Sequence, residues 1–278
     1  MTSRHLILFV GAALSLTFTV PSTVPAQPAP KAADAKAANP DPHAKAIADV
    51  VAANHILANE GVVDGYGHVS IRDPSDPNKF LLARSSAPEL VTAADVLVHD
   101  LDGNAVGAPA GTKLYLERFI HAEIYRTRPD VNAIVHCHSP SLIPFGVTGV
   151  PLRPLYHMSS FLGGGVPVFE IRNAAKGATD MLVRSPELGK ALAVSLGSHP
   201  AALMRGHGAV IVGRDIQQAV FRSVYIEMNA HLQSQAMALG GKIVYLDAEE
   251  AKKSEESNLG TIQRPWDLWL RKVKDKEK

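Results

Sequence analysis

Two histidines separated by one residue, His136 and His138, close a short, apolar, β-branched run that begins at Val131. A run of that length and composition is expected to be a buried strand. Successive side chains on a strand point to opposite faces, so both imidazoles share one face and Cys137 takes the other. A lone buried histidine is ordinarily satisfied by its own hydrogen bond in the core. Two on one apolar face each need a buried partner, and one shared metal ion meets both needs.

His207 is a third candidate ligand. It lies in Arg205-Gly206-His207-Gly208, between the strand-like segments Ala202 to Met204 and Ala209 to Val212, and the flanking glycines permit a tight turn. Three neutral imidazoles leave positions on an ion open for water or substrate, as in catalytic rather than structural sites. Zinc, manganese, iron and cobalt all suit such a donor set. Cys137, the single cysteine, can form no intrachain disulfide and reads as a small buried hydrophobe.

Around this strand the expected elements alternate. A helix runs from Asp41-Pro42 to Gly61, capped by Asp41. A hairpin pairs His68 to Arg72 with Lys79 to Ala83, and Val96 to Asp100 adds a strand. Leu116, Ile120 and Ile124 place an apolar stripe on a helix over Tyr115 to Arg126, ended by Pro129. Val166 to Ile171 is a further strand. Asp215 caps a long helix through Leu239, with Gly240-Gly241 as its stop. Hairpins mixed with helices favour a mixed sheet flanked by helices over a doubly wound parallel sheet. Glu117, on the helix that precedes the His136 strand, is compatible with two roles: an exposed partner of His121, or a carboxylate that binds metal or moves protons.

The chain of 278 residues, 46% of them hydrophobic, suffices for one large domain, expected over 41–247. Residues 1–26 read as a secretory signal peptide: Arg4 and His5 precede an apolar run from Leu6 to Val20, and Val24-Pro25-Ala26 supplies a cleavage site. Residues 27–40, rich in alanine, proline and lysine, read as a flexible leader, and 248–278 as a charged peripheral tail. A periplasmic or secreted protein, not bound to a membrane after cleavage, is the expectation. Lysine and arginine number 28 against 27 acidic residues, with no basic block interleaved with aromatics, so nucleic acid is not an expected partner.

Glu117, His136-x-His138 and Gly206-His207-Gly208, in that order and on those elements, resemble the class II aldolase/adducin family over nearly all of Ala44 to Leu246. The resemblance implies an α/β fold, a single-domain α/β/α sandwich around a mostly antiparallel sheet, assembled as a homotetramer with sites at subunit interfaces. It also implies a divalent metal ion held by His136, His138 and His207, with Glu117 as general acid/base. Sugar-phosphate aldolases of the family carry a Gly-Asn-x-Ser turn and a Ser-Ser-Glu approach to the glutamate. Here Gly67-His68-Val69-Ser70 and Tyr115-Leu116-Glu117 stand instead, and a leucine and a tyrosine make a poor cradle for a phosphate dianion.

Asp64-Gly65-Tyr66-Gly67-His68, Arg84-Ser85-Ser86 and Tyr115-Leu116-Glu117-Arg118-Phe119 look closer to the family's decarboxylase branch, which acts on dihydroxyphthalate, carboxylated muconic semialdehydes and a hydroxypyridine dicarboxylate. That placement implies a lyase acting on a small carboxylate substrate. His68, Arg84, Ser85 and Ser86 then orient the leaving carboxylate, and His157 is a further candidate contact. For Arg84 a surface role, for His68 a strand role and for His157 a packing role are equally open. His99, His121, His199 and His231 receive no functional assignment. Two other functions fit the same motifs: an aldolase or epimerase on an unphosphorylated hydroxy-keto substrate, and a non-catalytic adducin-like binding module.

Overall fold

The computed structural model describes residues 42–276. The expected signal peptide over 1–26, the expected leader over 27–40 and the expected Asp41 cap lie outside the described residues. In chain order the elements are α1 (Pro42–Asn59), β1 (His68–Arg72), β2 (Lys79–Ala83), β3 (Val96–Asp100), α2 (Arg118–Thr127), β4 (Ala133–Cys137), α3 (Ile143–Thr148), β5 (Val168–Phe169), α4 (Ile171–Ala175), α5 (Pro186–Leu196), β6 (Ala201–Met204), β7 (Gly208–Gly213), α6 (Ile216–Ala238), α7 (Ala248–Leu259) and α8 (Gln263–Lys276).

The strands form one sheet in the order β3-β2-β1-β4-β7-β6-β5. Every neighbouring pair is antiparallel except β5 with β6. Alternation along each strand divides the apolar side chains between two cores. Ala133, Val135 and Cys137 of β4 join residues of α1, α6 and α8 on one face. Ile134 joins α2 and α5 on the other, and the same alternation carries His136 to that second face. This is the expected α/β/α sandwich around a mostly antiparallel sheet, with Cys137 turned from the histidines as strand geometry requires.

Local signals fix the helices. The Asp215 side chain accepts the Gln218 N–H at the start of α6, and Pro186 follows the Ser185 cap of α5. At α7, Asp247 and Glu250 satisfy each other's backbone N–H groups. Among the described residues no helix is long and apolar enough to cross a membrane.

Three elements depart from expectation. Helix α2 starts at Arg118, so Leu116 stands outside it and is exposed, while Ile120 and Ile124 are fully buried. The strand expected over Val166 to Ile171 is only Val168–Phe169, because Glu170 caps α4 through the Arg172 N–H. The charged segment 248–278 is no peripheral tail over its described part: it forms α7 and α8, and these helices and the turn between them bury Ala251, Ile262, Trp266, Trp269 and Val273 in the α1–α6 core. Its many charges hid an amphipathic pattern whose buried face carries two tryptophans.

Trp266→Ala should therefore destabilise the full chain by about 3–5 kcal/mol in denaturant unfolding, the usual cost of emptying a buried aromatic site. A change within about 0.5 kcal/mol, typical of surface positions, would contradict the packing of α8.

Candidate metal centre

Four side chains from three regions of the chain converge at one end of the central strands. His136 comes from β4, which aligns it opposite His68 of β1 and Val210 of β7. His138 follows directly after the strand, His207 sits in the turn between β6 and β7, and Glu117 is the residue before the first turn of α2. Nε2 of His138 and Nε2 of His207 are 3.0 Å apart. Glu117 Oε2 stands 3.4 Å from Nε2 of His136 and 3.4 Å from Nε2 of His207. One ligand atom from each of the four lies within 4.8 Å of the others.

The second nitrogen of two rings decides what the first can do. His136 Nδ1 is 3.1 Å from the Ala209 carbonyl oxygen, and His207 Nδ1 is 3.0 Å from that of Met181. A carbonyl only accepts, so both Nδ1 atoms carry the proton and both Nε2 atoms present a bare lone pair to the centre. His136 Nε2 is buried and has no hydrogen-bond partner. A buried, unsatisfied imidazole lone pair, backed by a carbonyl and facing two more rings and a carboxylate, is the chemistry of a divalent-metal ligand. The residues present fit such an ion.

Backbone constraints explain the Gly-His-Gly turn. Gly206 has a φ of +65°, and a Cβ on Gly208 would lie 2.0 Å from the Cys137 carbonyl oxygen. Both glycines are thus required for His207 to approach β4. Other supports gave no signal in the sequence. The loop before α5 meets the centre twice: the Val183 N–H donates to Glu117 Oε1 at 2.9 Å, and Met181, with a φ of +72°, turns its carbonyl to His207. That left-handed backbone is costly for methionine and is held by its surroundings. Glu227 of α6 accepts the hydroxyls of Ser139 and Ser141, tethering the loop that follows His138.

Burial raises the Glu117 carboxyl, but positive charge at His136 and His207, from a ring proton or from a cation bound there, outweighs it and holds the group ionised, well below the usual carboxylate range. Burial, with His136 and His207 alongside, pushes His138 down to about 4. Burial likewise lowers His68 and His121 well below 6.5. The Cys137 thiol is pushed up to about 12 by burial, so it is no thiolate at neutral pH.

Beside the centre opens a cavity of about 330 Å³, lined by Tyr66, His68, Ser85, Ser86, Tyr115 and Glu117 among others. His138 and the exposed Leu116 also border it, and among the described residues no lysine or arginine does. Of the expected substrate contacts, His68, Ser85 and Ser86 are thus brought together. Arg84 is not: its Nε is 2.6 Å from Asp95 Oδ1, which turns the guanidinium from the cavity. His157 is exposed, starts a short 3-10 turn, and accepts Asn258 Nδ2 on its carbonyl, also away from the cavity. His121, unassigned from sequence, touches His68 from behind.

An open three-imidazole centre with an ionised carboxylate at its edge, set in an α/β/α sandwich, defines a candidate metalloenzyme. Residues 48–234 match the Class II Aldolase and Adducin N-terminal domain, and the chain belongs to that family. It is 36% identical over 243 residues, 79% of this chain and 90% of the other, to decarboxylase tropJ of Talaromyces stipitatus. It is 30% identical to 3,4-dihydroxyphthalate decarboxylase of Arthrobacter keyseri, covering 82% of this chain and 94% of the relative. Among solved structures, L-fuculose 1-phosphate aldolase from Glaciozyma antarctica superposes with a TM-score of 0.69 at 26% identity, over 84% of this chain and 90% of that one.

Elemental analysis should find close to one divalent ion per chain in wild type and in Cys137→Ala, and almost none in His136→Ala. Metal lost from Cys137→Ala would contradict the strand register. Stability of the metal-free chain should fall as pH drops from 6.5 toward about 4. Over that window the unfolded chain takes up protons on His138, His68 and His121 that the folded chain refuses, and the unfolded state gains. Urea midpoints measured across that range check the sign, and a midpoint that rises on acidification would contradict it.

Proposed function

We propose that this protein is a divalent-metal-dependent carbon–carbon lyase that decarboxylates a hydroxylated aromatic or a related hydroxy or keto carboxylate. One observation carries the choice of substrate class. The cavity beside the four converged side chains has aromatic and aliphatic walls, from Tyr66, Tyr115, Leu116 and Leu182, and among the described residues no lysine or arginine to hold a phosphate. Its volume, about 330 Å³, suits a single planar ring with its substituents. The decarboxylase names of the relatives at 36% and 30% identity support the same class.

When bound, a divalent ion at His136, His138 and His207 supplies an electrophile that draws negative charge from the reacting carbon onto a substrate oxygen. Glu117, ionised at rest, takes the proton of the substrate hydroxyl as it enters. The carbon–carbon bond to the carboxylate then breaks, carbon dioxide leaves, and the electron pair stays on the ring carbon. Glu117 returns its proton to that carbon, so protons and charge balance over the cycle. The Val183 N–H on Oε1 leaves Oε2 as the atom that moves the proton. Tyr66 and Tyr115 flank the ring and displace water from the developing carbanion.

The donor set accepts zinc, manganese, iron or cobalt. Assembly as a homotetramer, expected from the family resemblance, and export to the periplasm or medium, expected from residues 1–26, belong to the same proposal. The exposed Leu116 and Tyr66 at the cavity mouth are consistent with cover from a second subunit.

Wild type should release carbon dioxide from hydroxylated aromatic dicarboxylates. Glu117→Gln should lower the rate by roughly 10²–10⁴-fold, as loss of a positioned acid/base does. Cleavage of unphosphorylated hydroxy-keto substrates without carbon dioxide release would move the same centre to aldol chemistry. Full activity in Glu117→Gln would overturn the role given to that residue.

A further inference from the structure

Behind the cavity lies a buried row of hydrogen bonds that the chemistry above does not use. Helix α2 carries His121 and Tyr125 four residues apart, and β1 carries His68 and Ser70 two apart. These spacings match closely enough for the two rows to interleave. His68 Nδ1 is 2.6 Å from His121 Nε2, His121 Nδ1 is 2.6 Å from Ser70 Oγ, and Ser70 Oγ is 2.8 Å from the Tyr125 hydroxyl. All four side chains are buried.

The far end sets the direction of the row. Ser70 is the one hydrogen-bond partner of the Tyr125 hydroxyl among the described residues, and the guanidinium over the Tyr125 ring, Arg72, has donors only. If Ser70 donated to Tyr125, the phenol proton would be buried with no acceptor, which costs about 1–3 kcal/mol. Tyr125 therefore donates to Ser70, and Ser70 donates to His121 Nδ1. A nitrogen–nitrogen contact holds one proton, so His121 donates from Nε2 to His68 Nδ1. His68 is left with its own proton on Nε2, the ring atom free to face the cavity it lines.

We propose that Tyr125, Ser70 and His121 are positioning residues that fix His68 as an Nε2–H donor, which holds an anionic oxygen of the substrate carboxylate. Among the described residues no lysine or arginine lines the cavity, so this donor supplies part of the anion recognition that Arg84, turned onto Asp95, does not. A ring locked in this tautomer donates without acting as a competing base toward the substrate hydroxyl, which leaves that step to Glu117. The identity of the bound oxygen rests on the proposed decarboxylation, whereas the tautomer belongs to the protein alone.

The test is nitrogen-15 NMR of the full chain, labelled in its histidines and loaded with diamagnetic zinc, without substrate. His68 is assigned by the signals that vanish in His68→Gln. A protonated, pyrrole-type Nε2 and a pyridine-type Nδ1 on His68 are expected, and a proton on Nδ1 would overturn the proposal. In Ser70→Ala a second His68 tautomer should appear and KM should rise about tenfold, as when a hydrogen bond to a charged group is weakened. Ser70→Thr, which keeps the hydroxyl, should restore both. An unchanged His68 in Ser70→Ala would show that the row does not set its tautomer. Should Ser70→Ala not fold, the wild-type spectrum still decides. Loss of the decarboxylase reading would leave that spectrum untouched, and the wrong tautomer in an active decarboxylase would sink only the row.

Discussion

The contact between His136 Nδ1 and the Ala209 carbonyl is the interaction on which the site depends. It arises from the antiparallel register of β4 and β7, which sets His136 beside Val210 and Cys137 beside Ala209. The register is itself locked by burial, because a slip of one residue would exchange the two apolar faces of β4. Packing of the two cores thus fixes which nitrogen of a catalytic-type ring carries the proton. His207 repeats the device with a loop carbonyl in place of a strand carbonyl. The result is two lone pairs, on His136 and His207, that point inward before an ion binds, while His138 Nε2, 3.0 Å from that of His207, moves its proton to join them.

Much of this was legible in the sequence where the signal is local. The period-two pattern around His136 and His138 gave both the strand and the opposite orientation of Cys137, now in the α1–α6 core. Glycines beside His207 marked a turn that only glycine fits, and Asp215 marked the start of α6 to the residue. What stayed hidden depends on contacts distant in sequence. Met181 and Val183 lie over 60 residues from Glu117 yet hold it and His207 in place. Ser70, His121 and Tyr125 look like ordinary strand and helix positions until the two elements pack.

The misplaced expectations have similar causes. Arg84 sits beside the cavity-lining serines in sequence, but a buried carboxylate eleven residues on captures it, as Asp95 is tied in turn to Thr92. His157 reads as a polar residue near a tyrosine and lies instead on the far, exposed side of a turn under α7. Charge count concealed the role of α8, whose tryptophans complete the core beside α1. Together these features describe a scaffold in which two apolar cores support one polar end of the sheet, with a cavity beside it.

The most direct measurement is an anomalous-difference map from crystals of the full chain, collected on both sides of the absorption edge of the bound metal. The account predicts one strong peak per chain about 2.0–2.2 Å from Nε2 of His136, His138 and His207. A metal-loaded protein whose peak lies elsewhere, or which shows none among these three side chains, would contradict it.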